Sequence, residues 1–370
     1  MKVNLISKLY HFTFTILLLY ILNITNILYD FPYVNDAIAM RIGTDNNSIF
    51  YYLQSSQIIP FGLNRIGGEF IPDYFNSVDV DVAIIDTGID SNHPDLNVYN
   101  EIAFTGSTPE DRCGHGTHVA GIIGAKNNEI GIVGVAPNAR IWNIKVSDCV
   151  FPGTSPVAGF RAVLNALEYV IDNSDEIDIL NISQNEHCPQ ISCNNSQYRD
   201  LIDQIVNSGI VVIASAGNNG GFAHQYVPPQ LENVITVSAI SDTDGRCGGL
   251  GPVSKVGDPD DTFATQSNSG EAVDIAAPGI EILSTLPNAN YGIKSGTSMA
   301  APYVAGTAAL LKSFNNSLSP EEIKNEILDF AANSQTECDF ESFGYFNGDR
   351  DQIPEPLLYI KEMFSLYPVE

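Results

Sequence analysis

The chain has 370 residues, enough for one large α/β domain with flanking segments, and its 44% hydrophobic content can fill a substantial core, which excludes a disordered protein. Seventeen Lys and Arg stand against 44 Asp and Glu, a formal net charge of −27. Such a surface repels phosphate backbones and anionic lipid, so nucleic acid is not expected as a partner. The acidity reads first as solubility, although clustered carboxylates also suit hard cations such as calcium.

The N-terminus carries Lys2 and Lys8, then an apolar run from Phe12 to Leu28, then Ala37-Ile38-Ala39 as a small-residue cleavage site. That layout is a signal peptide over residues 1–39 and implies a secreted or extracytoplasmic protein. Thr13, Thr15, Asn23, Thr25 and Asn26 interrupt the run and make it a poor span. Membrane attachment arises only on the competing reading, an uncleaved anchor. Residues 40–54 are then a short pro-segment or linker. All six cysteines lie downstream, and an even count after an export signal favours disulfides over zinc, since no Cys-x-x-Cys pair occurs.

From about residue 79, short β-branched runs alternate with longer helical patterns, as in βα units with a mostly parallel sheet. Strands are expected at Val80–Ile85, Ile141–Val146, Ile177–Ile182, Ile210–Ile213, Val234–Val237 and Val273–Ile275. Phe160, Val163, Leu164, Leu167, Val170 and Ile171 recur at intervals of three and four, one apolar stripe of an amphipathic helix. Residues 241–270, rich in Gly, Asp, Ser and Pro, read as a long surface loop. A helix should begin near Ser298 and run to Leu311, and Pro320 and Glu321 open a final one. Beyond about residue 335 the tail is acidic and aromatic.

Three motifs sit at strand ends or helix starts, where a parallel α/β fold exposes side chains. In "AIIDTGID" the strand ends at Asp86. In "CGHGTHVAG" His115 lies between Gly114 and Gly116 and opens a helix of small residues. An imidazole titrates near neutrality, so it can take a hydroxyl proton and return it to a leaving amine. In "SGTSMAAP" Ser298 stands at a helix N-terminus, where free N–H groups favour a nearby oxyanion. "SAGNNG" adds Asn218, whose amide is the kind of donor an oxyanion hole uses. Taken singly, these residues also read as a turn Asp, a metal-ligand pair of His115 with His118, and an N-cap Ser.

Together the motifs resemble the subtilisin-like serine peptidases over roughly residues 55–335, with "DTGIDSNHPDL", "HGTHVAGIIGAKNNEIGIVGVAP", "SAGN", "APG" and "GTSMAAP" in family order. The resemblance implies a doubly wound α/β three-layer sandwich whose mostly parallel central sheet carries helices on both faces. It implies a serine endopeptidase with Ser298 as nucleophile, His115 as base, Asp86 as orienting carboxylate and Asn218 as oxyanion donor. Polypeptide substrates would lie as extended strands along Pro152, Gly153 and Thr154 on one side and Ser183, Gln184 and Asn185 on the other, close to Gly217. The family commonly has Gly where this chain has Asn185, so the pocket for the residue before the cleaved bond is altered.

The same resemblance implies a structural calcium ion held by the side chains of Gln57, Asp95 and Asn128 and the carbonyls of Lys126, Ile130 and Ile132, an all-oxygen set. Asp258, Asp260 and Asp261 read as an acidic solvated loop with a second ion as the alternative. Cys113 and Cys149 match a disulfide of some thermostable relatives. Cys188 and Cys193 are near enough in sequence to bridge locally, which leaves Cys247 and Cys338. Residues 336–370 form a C-terminal extension, and the protein is expected to be a monomer. Two rival functions stand beside the endopeptidase: a membrane-anchored processing peptidase, and a relative that binds extended peptides without cutting them.

Overall fold

The computed structural model describes residues 57–106, 108–149, 157–187, 196–364 and 367, with two further strands at 38–45 and 48–54. In chain order the elements begin with β1 (Ile38–Asp45), β2 (Ser48–Gln54), α1 (Phe61–Arg65), α2 (Ile71–Tyr74), β3 (Asp81–Asp86), β4 (Val98–Ala103), α3 (Gly116–Gly124) and β5 (Arg140–Lys145). There follow β6 (Ser147–Asp148), β7 (Val157–Ala158), α4 (Phe160–Asp172), β8 (Ile179–Ile182), β9 (Glu186–His187), α5 (Ser196–Asn207), β10 (Val211–Ser215), β11 (Tyr226–Val227) and β12 (Ile235–Ser241). The last are β13 (Thr262–Phe263), β14 (Ile275–Pro278), β15 (Ile282–Leu286), β16 (Asn290–Lys294), α6 (Thr297–Phe314), α7 (Pro320–Phe330) and α8 (Lys361–Phe364).

The central sheet runs β13-β12-β10-β8-β3-β5-β4, with β14 also beside β12, and every pairing except β12–β13 is parallel. Alternation along each strand divides the core in two. Val82, Ile84, Val211, Ile213, Ile235 and Val237 face the side covered by α3 and α6. Ala83, Ile85, Leu180, Ile182, Val212 and Ala214 face Trp142, α4 and α5. A strand covered on both faces reads as a near-continuous apolar run, and these do apart from buried polar residues such as Asn181, Thr236 and Ser238. This is the expected three-layer α/β sandwich.

The helix α6 is buried over Thr297–Lys312, so it is a core element and not a surface amphipath. Truncating one of its large residues, such as Leu310, would leave a cavity costing about 2–5 kcal/mol. Because the nucleophile candidate is in its first turn, a buried core helix fixes that residue.

The chain order reverses between β3 and β8, and a crevice opens at such a switch point outside the strands' carboxyl ends. A second sheet, β1-β2-β16-β15, lies apart from the first, and its β15–β16 hairpin is antiparallel. The hairpin is tied to α3 by His118, whose Nε2 is 3.0 Å from Ile282 O and 3.1 Å from Gly292 O. Burial pushes the His118 ring well below its usual pKa, so it is a neutral ring tying the helix to the hairpin.

Several elements differ from the sequence-based expectation. Strands β4, β13, β15 and β16 were not expected, nor was helix α5, although its Tyr198, Leu201, Ile202, Ile205 and Val206 recur at helical spacing, and α8 follows the helix expected to be last. The 241–270 segment is not a surface loop throughout: Asp242, Asp258, Asp260, Asp261, Phe263 and Ser267–Ser269 are buried. Its anchor is Arg65 at the end of α1, whose Nε is 2.9 Å from Asp261 Oδ1 and 3.1 Å from Asp242 Oδ2. The same guanidinium donates to Ser342 O at 2.8 Å and Gly344 O at 3.0 Å, so one buried cation holds both the loop and the tail.

The C-terminal extension is woven into the domain. Ala276 N donates to Pro356 O and Leu358 N to Ala276 O, at 2.8 and 2.9 Å, extending the sheet beyond β14. Leu357, Leu358, Ile360 and Met363 are fully buried behind that backbone contact. Disulfides join Cys113 to Cys149 and Cys247 to Cys338, two of the expected pairs. Cys188 and Cys193 lie outside the described residues.

Candidate active site

Asp86 closes β3, and its buried Oδ1 lies 2.7 Å from His115 Nδ1 and accepts the Thr87 backbone N–H at 2.7 Å. The turn that follows needs Gly88, at φ 99°, where a Cβ would fall 2.3 Å from Pro109 O. His115 immediately precedes α3, and Gly116 lets that helix start against the Asp86 turn, since a Cβ there would meet Gly88 O at 2.2 Å.

Asp111 braces this junction. Its carboxylate accepts from Thr87 Oγ1 at 2.9 Å, Gly114 N at 2.8 Å, Thr117 N at 3.0 Å and Thr117 Oγ1 at 2.6 Å. Burial raises its pKa, opposed by these hydrogen bonds and reinforced by the nearby Asp86 charge. The Cys113–Cys149 bond ties the same loop to the residue after β6. Sequence reasoning passed over Asp111 and Thr87. The faint signal was an acidic residue four positions before His115.

Gly296, at φ 147°, leads into α6, where Ser298 is 7% exposed and its hydroxyl donates to Ser183 O at 3.0 Å. Ser183 follows β8 directly, so the α6 start is set against the carboxyl end of that strand. Asn218 is exposed beyond β10. Its Oδ1 accepts from Thr297 N at 2.8 Å and Thr297 Oγ1 at 3.1 Å, which fixes the amide orientation and leaves Nδ2 as the free donor end. Asn268, also passed over, holds the Asn218 loop by accepting from Asn219 N and Gly221 N while its own Nδ2 donates to Ala216 O at 2.9 Å. All four chemistry-bearing residues therefore sit at the sheet's carboxyl edge or on the helices beside it.

Of the residues expected to line a substrate, Ser183 is the acceptor just described, Gln184 Nε2 donates to Ser147 Oγ at 2.5 Å, and Gly217 N donates to Thr297 Oγ1 at 3.1 Å. Asn185 bonds to Ser215. Pro152, Gly153 and Thr154 lie outside the described residues.

Of the expected calcium ligands, Gln57, Lys126, Ile132 and Asp95 come together. Gln57 Nε2 donates to Lys126 O and, at 3.0 Å, to Ile132 O, so an amide and two carbonyls converge. Asp95 Oδ2 accepts from Ile132 N and Tyr291 OH, both at 3.1 Å, while its Oδ1 is buried with no hydrogen-bond partner. Burial raises the Asp95 carboxyl to about 6, against hydrogen bonds from Ile132, Tyr291 and Asn128 and the Lys126 charge. A buried carboxylate oxygen left without a donor, among hard oxygen atoms, fits a cation. Ile130 is exposed, and its backbone N–H donates to Asn128 Oδ1 at 3.2 Å.

The second acidic group differs. Asp258, Asp260 and Asp261 are buried, not solvated, and each accepts from protein donors: Thr265 N, Thr243 N with Gly251 N, and Arg65 with Gly249 N respectively. Carboxylate oxygens of Asp242, Asp244 and Asp260 come within 4.8 Å of one another and could hold a metal ion. Among the described residues, no helix is long and apolar enough to cross a membrane.

Asp86, His115 and Ser298 at the carboxyl edge of a parallel sheet are the residue types of a nucleophilic serine site. The profile of the Subtilase family matches residues 78–345, and the chain belongs to that family. Subtilisin from Bacillus pumilus is 34% identical over 279 residues, covering 74% of this chain and 91% of the relative. Subtilisin E of Bacillus subtilis is also 34% identical over 279 residues, 74% of this chain but 66% of the relative, so the chain spans just under two thirds of its length. The solved structure of a cold adapted subtilisin-like serine proteinase superposes with a TM-score of 0.59 at 26% identity, covering 82% of this chain and 98% of that one.

Proposed function

We propose that this chain is a secreted, calcium-stabilised serine endopeptidase acting on extended polypeptides. The observation that carries the reading is the 2.7 Å contact of His115 Nδ1 with the buried Asp86 carboxylate, at the same sheet edge as Ser298 and Asn218. With Asp86 accepting from Nδ1, the other ring nitrogen of His115 is the one available as base. Rotation about the Ser298 Cα–Cβ bond turns the hydroxyl from Ser183 O towards that nitrogen. The oxygen attacks the peptide carbonyl as His115 takes its proton, and Asn218 Nδ2 with the Ser298 backbone N–H stabilises the oxyanion. His115 then returns the proton to the leaving amine, and water releases the acyl group by the same steps reversed.

Gln57, Asp95, Lys126, Asn128, Ile130 and Ile132 would hold the calcium ion. When bound, it supplies positive charge to the orphaned Asp95 oxygen and fastens the segment after α3 to the start of the domain. Residues 1–39 act as an export signal on this reading, and polypeptide is the substrate class.

Incubation with a fluorophosphonate probe and with a denatured protein mixture, alongside Ser298→Ala, tests the activity. Labelling at Ser298 and peptide release in the parent alone are expected. Peptide capture without release or labelling would instead mark a non-cleaving relative.

A further inference from the structure

Strands β8 and β10 are parallel neighbours, in register from Val211 with Ile179 to Ala214 with Ile182. The backbone pairing ends there, and between the segments that follow, 183–185 and 215–217, the contact is made by a side chain, which sets the two backbones a side chain's length apart. One wall begins with Ser183, whose carbonyl accepts from the Ser298 hydroxyl, and the other runs through Gly217 into Asn218. A peptide held with its carbonyl carbon at Ser298 and its oxygen at Asn218 therefore directs the side chain of the acyl residue into this gap.

Asn185 crosses it. Its Nδ2 donates to Ser215 O at 2.7 Å, and Ser215 Oγ donates back to Asn185 Oδ1 at 2.9 Å, a closed reciprocal pair from wall to wall. The carboxamide also lies against Gly217, where a Cβ would come 3.2 Å from Asn185 Nδ2. Directly after Asn185 the chain enters β9, which pairs antiparallel with β11, Tyr226 with His187 and Val227 with Glu186. Ser215 is 1% exposed. Displacing Asn185 to admit a large side chain would leave the buried Ser215 hydroxyl and carbonyl without that partner, a desolvation penalty no apolar side chain can offset by hydrogen bonding.

We infer that the Asn185–Ser215 bridge is a specificity gate that restricts cleavage to peptide bonds following small residues, Gly, Ala or Ser. The inference rests on the endopeptidase reading above. Asn185 acts by occupying the space of the acyl residue's side chain and takes no part in the proton transfers.

The test uses the full-length protein and peptide p-nitroanilides that differ only in the acyl residue: Gly, Ala, Ser, Leu, Phe and Arg. The parent should favour Ala over Phe in kcat/KM by at least about tenfold, the range over which pocket size discriminates. Asn185→Gly should raise the Phe-to-Ala ratio by roughly tenfold or more, and Ser215→Ala should move it the same way by a smaller factor. Fluorophosphonate labelling of Ser298 confirms that each variant has folded. Should Asn185→Gly fail to label, the parent profile and Ser215→Ala decide the matter. A parent that cleaves best after Phe, Leu or Arg, or labelled variants with an unchanged ratio, overturns the gate and leaves the endopeptidase reading intact. A parent with neither labelling nor cleavage of any substrate overturns both.

Discussion

Thr297 gives both its backbone N–H and its hydroxyl to Asn218 Oδ1, so the residue before the nucleophile sets the orientation of the oxyanion donor. An amide free to flip would present an acceptor to a developing negative charge half the time. Removing Asn218 itself, as in Asn218→Ala, should cost on the order of 3 kcal/mol of transition-state stabilisation, felt mostly in kcat. Thr297→Val deletes the hydroxyl and keeps the N–H, so a smaller loss of kcat is expected, with KM little changed and recovery in Thr297→Ser. Steady-state kinetics on one peptide substrate separate these outcomes. Equal kcat in Thr297→Val and the parent would remove the hydroxyl from the mechanism.

Calcium should raise the melting temperature. A ligand that binds only the folded state at 100 times its Kd stabilises by about 2.7 kcal/mol. At roughly 2–4 °C per kcal/mol for a domain approaching this size, several degrees should separate calcium-loaded from chelator-treated protein. Asp95→Asn keeps the side-chain volume but removes the charge, so it should abolish most of that difference. Calorimetry in excess calcium and in strong chelator measures it, and coincident melts would exclude an ordered ion between Gln57 and Asp95.

The parts of the fold visible in the sequence were those with a strong local period. Val82 to Ile85 must be apolar on both faces, and α4 has an apolar stripe, so both could be placed before any contact was known. The site candidates were visible because glycines mark tight backbone at Gly88 and Gly116. What escaped was structure made by distant partners. Asp111 and Asn268 look like ordinary loop residues until their carboxylate and amide are found accepting backbone N–H groups. The 241–270 segment is hydrophilic in composition, yet its acids are internal because Arg65, far away in sequence, meets them.

Arg65 is therefore a position where a single change should be severe. Its side chain is buried between Asp242 and Asp261, and burial pushes the Asp242 carboxyl well above its usual range, with Arg65 opposing and Asp261 and Asp260 adding to the rise. Arg65→Met removes the cation shared by both acids and leaves two carboxylates and two carbonyls without that donor. Breaking a buried ion pair from one side costs about 3–5 kcal/mol. Urea denaturation should show an unfolding free energy lower by that amount, and Asp261→Asn added to Arg65→Met should recover part of it by discharging one acid.

The tail should make stability fall as pH rises towards neutrality. Glu355 is buried against β12, where it accepts from Ser238 Oγ at 2.7 Å, and Tyr345 OH donates to its backbone carbonyl at 3.0 Å. Burial raises its carboxyl to about 7, opposed by the Ser238 hydrogen bond and assisted by the charges of Asp349 and Asp351. The folded chain therefore keeps a proton that the unfolded chain loses near its ordinary pKa of 4.5. Between those values the unfolded state binds fewer protons, so the contribution is complete below the unfolded pKa and is lost as pH rises through about 7. Glu355→Gln stays neutral throughout and should flatten this part of the stability profile. Because Pro356 O and Leu358 N hold the tail to Ala276 next to this carboxyl, the protection of Leu358 N, after correction for the intrinsic pH dependence of amide exchange, should fall over the same range in the parent and not in Glu355→Gln. A parallel pH slope in the two proteins would show that Glu355 titrates equally in the folded and unfolded states.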